Sequence, residues 1–228
     1  MCATLAAAAN LSQAASINYV SNGSFEANTG SFNAWTTTGA TSIFSNTFGA
    51  PTDGSYKAFI SNSSGSVDAS LLSLFFGGVA LPTNTGGAAV EGSGIKQTFS
   101  IQQPGTLSFD YRYLSQEDIG SGYDETFFFL DGQITLLTDS ETPGVIPLSR
   151  LPLRYKNGSP YRTVTFDIAA GQHTLGFGTY DTGDPSGDSA LLLDHVQAVP
   201  EPGTAAFGIG LGIVGLLSRS VRRPRGRS

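Results

Sequence analysis

The chain has 228 residues, and its 29 Gly and 11 Pro follow no three-residue period, which excludes a collagen helix. Aromatic residues make up 11% of the chain and charged residues 13%, so wholesale disorder is excluded. The net charge is −6, and the single Cys, Cys2, excludes both an internal disulfide and a zinc finger.

The charge is distributed unevenly along the chain. Residues 201–228 contain five Arg and one acid, whereas residues 1–200 carry seven basic and seventeen acidic side chains. An acidic body repels phosphate backbones, which argues against nucleic acid as a partner and favours divalent cations. Abundant Gly, Ser and Thr between short apolar runs favour an all-β domain over a helical bundle.

The N-terminal segment has the composition of a targeting sequence. Residues 1–16 are small and apolar, and Ser12-Gln13-Ala14 has the small-x-small pattern of a cleavage site. The segment resembles the end of a secretory signal peptide, although the basic start is missing. The sequence therefore predicts a truncated signal peptide at residues 1–16 and an exported domain at residues 17–198.

Alternating apolar residues predict strands through the body of the chain. Clear alternation occurs at residues 95–101, 107–113, 164–168 and 175–179, and residues 191–196 are the predicted final strand. Asp131-Gly132 favours a type I′ turn between two strands at residues 126–130 and 133–137. Residues 61–93 are expected to form a long loop that leaves room for one short helix. Eight or more short strands predict a jelly-roll β-sandwich.

The two ends of the body carry a resemblance. Asn22-Gly23-Ser24-Phe25-Glu26, followed by Trp35, and the closing run Leu193-Asp194-His195 resemble the first and last strands of galactose-binding-like jelly rolls. That superfamily contains many carbohydrate-binding modules. The resemblance implies that the first and last strands lie side by side and that Trp35 packs in the core.

A structural calcium often joins these two strands in that superfamily, and calcium takes six to eight oxygen ligands. The resemblance implies Glu26 and Asp194 as carboxylate ligands and Gly23 as a carbonyl ligand. The alternative is that Glu26 and Asp194 cap turns or face solvent. His195 departs from the usual acid or Asn beside the aspartate.

Further acidic residues cluster at residues 117–118 and 124–125, and at Asp181, Asp184 and Asp188. Asp side chains in turns commonly bond their own backbone, so solvated turns are the first interpretation and a second calcium site is the alternative. A glycosidase needs two carboxyls across a cleft. Glu117 and Glu125 are one such pair, but nothing in the sequence selects them over others, so a non-catalytic protein is favoured. Candidate sugar platforms, among which the sequence does not choose, are Tyr56, Tyr113, Tyr123, Tyr155 and Tyr161.

The C-terminal end has three parts in a fixed order. The motif Val199-Pro200-Glu201-Pro202-Gly203-Thr204 leads into an uncharged apolar span at residues 203–218, which predicts an anchor helix just short of the usual transmembrane minimum of about 17 residues. A basic tail at residues 219–228 predicts a cytoplasmic end. Its cationic residues are Arg219, Arg222, Arg223, Arg225 and Arg227.

This order resembles the PEP-CTERM sorting signal of exopolysaccharide-producing Gram-negative bacteria. The resemblance implies processing by an exosortase, a membrane Cys protease-transpeptidase, after transient anchoring in the membrane. It also implies sorting to the cell surface or the extracellular matrix. The alternative is a plain C-terminal membrane anchor.

Three functions remain open from the sequence. The first is a non-catalytic surface domain that binds exopolysaccharide or another carbohydrate, with bound calcium. The second is a structural or adhesive matrix protein that binds protein partners or itself. The third, and least favoured, is a secreted polysaccharide hydrolase.

Overall fold

The computed structural model describes residues 17–84, 86–119, 123–139, 141–142, 144–147 and 154–201. These residues form one helix, α1 (Ala69–Phe75), and a short 3-10 turn at Ala27–Thr29. The strands are β1 (Thr36–Thr38), β2 (Ala40–Phe44), β3 (Lys57–Ser61), β4 (Val67–Asp68), β5 (Ala89–Ile101), β6 (Gly105–Ser115), β7 (Glu125–Leu130), β8 (Gln133–Thr138), β9 (Ile146–Pro147), β10 (Asn157–Gly158), β11 (Arg162–Ile168), β12 (Gly171–Thr182) and β13 (Ser189–Pro200).

The strands form two antiparallel sheets that pack as a sandwich. Sheet A has the order β1-β5-β12-β7-β8, with β4 paired to β5. Sheet B has the order β2-β3-β13-β6-β10-β9, with β11 paired to β6. The prediction of an all-β sandwich is confirmed. The longest pairings, β5 with β12 and β6 with β13, lie inside the sheets and carry most of the core.

Alternating side chains fill the space between the sheets, as the sequence predicts. Leu107, Phe109 and Tyr111 of β6 belong to one buried cluster with Leu175 and Phe177 of β12. The rings of Phe109 and Phe177 meet edge to face, with centroids 4.8 Å apart. Such pairs stabilise a core beyond the area they bury.

Trp35 packs in this core, as expected from the resemblance. Its side chain is 7% exposed and lies against Phe25 and Phe177. The indole Nε1–H donates to the Asn22 carbonyl at 3.1 Å, so the polar atom of the ring is satisfied.

The predicted hairpin is also confirmed. Leu130 pairs with Gln133, and the two residues between them, Asp131 and Gly132, have φ values of 49° and 88°. Positive φ at both central positions is the signature of a type I′ turn, which Asp-Gly tolerates.

Residues 61–93 contain more regular structure than the predicted loop. The expected short helix is present as α1, but β4 precedes it and β5 begins at Ala89. The glycines that suggested a loop, Gly92 and Gly94, lie inside β5. They are required there because a Cβ at either position would collide with Leu72 or Phe76 of the α1 region.

The last strand extends beyond the predicted end of the domain at residue 198. Val199 pairs with Thr106, Pro200 pairs with Gly105, and the Glu201 N–H donates to the Pro104 carbonyl. The first residues of the PEP-CTERM-like motif therefore belong to the sandwich. The predicted signal peptide at residues 1–16 and the rest of the motif, the apolar span with its predicted anchor helix, and the basic tail at residues 202–228 lie outside the described residues. Within the described part of the chain, no helix is long and apolar enough to span a membrane.

α1 docks on the outer face of sheet A where glycines leave the strands without side chains. The Phe76 ring, directly after α1, lies over Gly94 of β5 and Gly176 of β12. Two further rings beside it, Phe127 and Phe129 of β7, have centroids 5.2 Å from that of Phe76. The aromatic cluster therefore covers the middle of the outer face and fixes the position of the helix.

Gly176→Ala is expected to destabilise the protein by about 1–3 kcal/mol, because overpacking forces neighbours to shift. The new Cβ would lie 2.5 Å from Cε1 of Phe76 and 2.9 Å from the Ile95 carbonyl oxygen. Chemical denaturation measures the change. Thr165→Ala, at an exposed position of β11, is the control and should stay within about 0.5 kcal/mol of the wild type. Equal stability of the two variants would contradict the docking described here.

Candidate functional site

The outer face of sheet A carries an open pocket of about 320 Å³ beside the end of α1. One wall is the turn that follows α1, the opposite wall is the β7–β8 hairpin, and the floor is formed by β5 and β12. We call this cavity the sheet A pocket. Its lining residues are Phe76, Gly77, Lys96, Phe129, Asp131, Gly132 and Thr174.

The apolar part of the lining is held rigidly. Phe76 and Phe129 are 1% and 5% exposed, and their rings are tilted at 42° to each other. Both belong to a buried cluster with Leu72, Phe127 and Tyr180. A preformed apolar wall with a few polar groups is the usual design of a small-molecule site.

The polar part of the lining offers both a cation and an anion. The Lys96 ammonium donates to the Phe75 carbonyl and lies 4.5 Å from the centroid of the Phe75 ring. An ammonium has three donors, so two remain for a ligand. The Asp131 carboxylate accepts the Thr174 N–H at 2.7 Å, and the Thr174 hydroxyl lies 3.2 Å from that of Thr98.

Sequence reasoning did not find this pocket. The five candidate tyrosines do not line it, and Tyr113 and Tyr155 are buried at 0% and 2% exposure. The hairpin position of Asp131 was visible in the sequence. The meeting of that turn with Lys96 and Phe76 was not, because it depends on strand order in sheet A and on where α1 docks.

The two carboxylates of the predicted calcium site, Glu26 and Asp194, accept hydrogen bonds from backbone N–H groups. Asp194 is fully buried at a bulge of β13, and its Oδ2 accepts the N–H groups of Thr52 and Asp53 at 2.7 and 2.9 Å. Its Oδ1 accepts the His195 N–H at 2.7 Å. Burial raises the pKa of Asp194, although these hydrogen bonds oppose the rise.

Glu26 accepts hydrogen bonds from the same stretch of chain as Asp194, residues 52–56. One of its carboxylate oxygens accepts the N–H groups of Ser55 and Tyr56, both at 2.7 Å. Gly23 lies against β13, where its carbonyl accepts the Val196 N–H at 3.0 Å and a Cβ would collide with the Val196 carbonyl. The expected approach of the two ends is therefore present, but residues 22–26 contain a turn and no strand, so the expectation of a first strand there was wrong.

Residues 45–56, which we call the covering segment, cross the outer face of sheet B and are held there by a buried lysine and a half-buried arginine. The Lys57 ammonium donates to the carbonyls of Ser45 and Gly49, and Arg112 donates to the Phe48 carbonyl at 2.9 Å. Burial lowers the pKa of Lys57 to about 8, although Asp194 opposes the shift.

The groups around Glu26 and Asp194 do not resemble the ligands of a calcium ion. Calcium is bound by oxygen atoms, whereas the groups directed at Glu26 and Asp194 are amide N–H groups. Among the described residues, no three His, Cys, Asp or Glu side chains are grouped in a way that could hold a metal. The geometry fits the alternative in which both acids cap a turn, and calcium at these residues stays a prediction.

Three of the clustered acidic residues are buried, contrary to the first interpretation as solvated turns, whereas Asp118 and Asp184 are exposed as that interpretation expects. Asp124, Glu125 and Asp181 are only 1–3% exposed. Asn62 donates to the carboxylates of both Asp124 and Asp181, and its own carbonyl accepts the Ser189 N–H at 2.6 Å. The interpretation was wrong because these acids lie at strand ends inside the sandwich. Asp184 does lie in an exposed turn.

Burial raises the pKa of each of these acids. Burial is the largest cause for both Asp124 and Asp181, and the neighbouring Asp124 carboxylate raises the pKa of Asp181 further. Burial also raises the pKa of Glu125 to about 7, against a hydrogen bond from Asn84 at 2.7 Å. Neither Glu125 nor Glu117 lines the sheet A pocket.

No protein-family model matches the chain, and no curated protein matches it. Several solved structures are similar. One is TmCBM61, solved in complex with β-1,4-galactotriose, at 13% identity and a TM-score of 0.42, covering 82% of this chain and all of that one.

Two further similar structures come from named bacteria. The CBM22-1 xylan-binding domain of Paenibacillus barcinonensis Xyn10C has 14% identity and a TM-score of 0.37, covering 82% of this chain and 97% of its own. The K1 cleaved adhesin domain of Lys-gingipain from Porphyromonas gingivalis W83 has 12% identity and a TM-score of 0.40, covering 74% and 91%. Similarity at this level does not extend to a site or a ligand.

Asp194→Ala is expected to cost roughly 3 kcal/mol of stability, because it removes the buried carboxylate that accepts three backbone N–H groups. The loss should be the same in calcium and in EGTA, as measured by chemical denaturation. Asp167→Ala, on the exposed side of β11, is the matched control and should change stability little. A stabilisation of the wild type by calcium that Asp194→Ala abolishes would instead establish the metal site.

Asp181→Asn is expected to flatten the pH dependence of stability. A carboxyl whose pKa is raised by folding contributes stability at low pH and loses it as the pH rises through the folded pKa. The wild type should therefore weaken from pH 5 to pH 9 more than the variant does, as measured by thermal unfolding. Asp184→Asn, whose carboxyl is fully exposed, should leave the wild-type slope unchanged. Parallel curves for the wild type and Asp181→Asn would show that the carboxyl pair is not protonated.

Proposed function

We propose that this chain is a non-catalytic glycan-binding β-sandwich and that the sheet A pocket is its binding site. The pocket itself carries the proposal, since it combines a fixed wall of two Phe rings with an ammonium, a carboxylate and a hydroxyl. Sugars present apolar C–H faces and ring hydroxyls, which such a lining can match.

The size and form of the pocket suit a short stretch of a polysaccharide. Its volume is at the lower end of the range of about 300–1,000 Å³ for small-molecule sites. It is open to solvent along the outer face of sheet A, so a longer chain can extend beyond it. Lys96 donates to ligand hydroxyls or carboxylates, whereas Phe76 and Phe129, which are almost fully buried, form the apolar base of the site.

The location that we propose is the cell surface or extracellular matrix of a Gram-negative bacterium. The order of motif, apolar span and basic tail at residues 199–228 supports exosortase processing. Val199 and Pro200 belong to β13 and pair with β6. After processing within the motif, the sandwich would therefore lie almost directly next to the new C-terminus. A glycan-binding domain sorted in this way would bring the matrix polysaccharide to the surface.

A second candidate is an adhesive protein that binds a protein partner or itself. Two exposed side chains on α1, Leu71 at 52% and Leu74 at 69%, favour it. Sedimentation of the wild type and of Leu74→Gln separates the two functions. Concentration-dependent association that Leu74→Gln abolishes, without retention on any glycan, would favour adhesion.

Lys96→Ala is expected to weaken glycan binding at least about tenfold, because it removes a charged hydrogen-bond donor worth roughly 1.5–3 kcal/mol. Affinity electrophoresis of the full chain in gels containing β-1,4-galactan, xylan or the exopolysaccharide of the producing cell measures this. The matched control is Lys156→Ala, which removes an exposed lysine paired with Asp118 far from the pocket. Retention by none of the three glycans would contradict the proposal, as would equal weakening by the two variants.

A further inference from the structure

His173 lies behind the hairpin wall of the sheet A pocket with an oxygen atom beside each ring nitrogen. Its Nδ1 is 2.6 Å from Oδ2 of Asp131, and its Nε2 is 2.9 Å from the Ala169 carbonyl oxygen. A neutral imidazole has one N–H and so can donate to one of the two, whereas the protonated ring donates to both. The geometry therefore fits the imidazolium form.

The Asp131 carboxylate connects this ring to the pocket. Its Oδ1 accepts the Thr174 N–H at 2.7 Å, and the Asp131 N–H donates to the Thr174 carbonyl at 3.0 Å. Asp131 and Gly132 form the hairpin wall, and Thr174 belongs to the floor. The hydrogen bond from His173 is thus a third tie between wall and floor, and the one that depends on a proton.

The surroundings of the ring set its charge. β5 presents the Phe99 ring at 5.6 Å, the β11–β12 turn presents the Ala169 carbonyl, and the β7–β8 turn presents Asp131. Among these described neighbours Asp131 is the one charged group. Burial by itself would lower the pKa of His173, but the hydrogen bonds to Asp131 and Ala169 outweigh it and raise the pKa.

We propose that His173 is a positioning residue that regulates the sheet A pocket: its protonated ring donates a charged hydrogen bond to Asp131, and loss of the ring proton weakens this tie between the hairpin wall and the floor. For its biological consequence the inference rests on the proposed function, because glycan binding would then weaken as the pH rises. Protonation of one histidine that does not itself line the pocket would tune the affinity of the site through Asp131.

An NMR titration of the full chain from pH 5.5 to 8.5 tests the link without a ligand. The chain has two histidines, so His173→Gln identifies the His173 ring signals by their loss. The ring should titrate above the usual midpoint near 6.5, and the amides of Gly132 and Thr174 should shift with the same midpoint. In His173→Gln these amides should no longer follow the pH.

Two variants serve as controls. Asp131→Asn keeps a residue that suits the type I′ turn but removes the charge, so the His173 midpoint should fall. His195→Asn replaces the other histidine, whose φ is 53°, by a residue that tolerates this conformation, and should leave the His173 titration unchanged. Pocket amides that ignore the His173 midpoint, or an unchanged midpoint in Asp131→Asn, would overturn the inference.

Affinity electrophoresis in β-1,4-galactan at pH 6 and pH 8.5 tests the consequence for binding. Retention should fall several-fold at the higher pH in the wild type and stay constant in His173→Gln. Equal retention of the wild type at both pH values would overturn the regulation. Absence of retention at both would count against galactan as the glycan of the proposed function, and the NMR titration would still decide whether His173 controls the pocket.

Discussion

The central strands of this sandwich have their outer faces covered as well as their inner faces. The other features of the structure follow from this constraint. A sheet normally buries one face and leaves the other to solvent. Here the outer face of sheet A is covered by α1 and Phe76, and the outer face of sheet B is covered by residues 45–56. On sheet A aromatic atoms, and on sheet B main-chain atoms, pack against strands whose inner faces already lie in the core.

The two faces meet this constraint with different chemistry. On sheet A, Gly94 and Gly176 lack side chains, so the Phe76 ring lies directly on the backbone. On sheet B, Lys57, Arg112 and Asp194 are charged, and they satisfy carbonyl and N–H groups of the covering segment. Buried polar backbone must find partners, and a cover without secondary structure takes them from side chains.

The sheet A pocket is the place where the aromatic cover ends. Phe76 and Phe129 mark the edge of the buried cluster, and Lys96, Asp131 and Thr174 begin the exposed part of the same face. The pocket walls therefore derive their rigidity from the core that holds α1. Their polar groups face solvent because no cover extends over them.

Local rules were sufficient for much of the fold. Alternation at residues 107–113 and 175–179 and the Asp131-Gly132 turn depend on neighbours in sequence, so the strands and the hairpin were predicted. The acids were harder to interpret. Asp181 and Asp184 are three residues apart, yet one lies beside Asp124 in the interior, where burial raises its pKa, and the other lies in an exposed turn. Which of them is buried depends on where β12 ends within the sheet.

The sequence by itself determined the all-β architecture, because periodicity and turn chemistry act over short distances. The approach of the Gly23 region to the last strand and the burial of Trp35 were implied by the resemblance of the two ends of the body to a known superfamily. Only the tertiary structure decided that Glu26 and Asp194 hold the amides of one segment, and that Lys96, Asp131 and Phe76 share a pocket. The hydrogen bonds of the first grouping join residues 29 to 142 positions apart. The groupings arise from strand order and from the docking of α1, which no local pattern encodes.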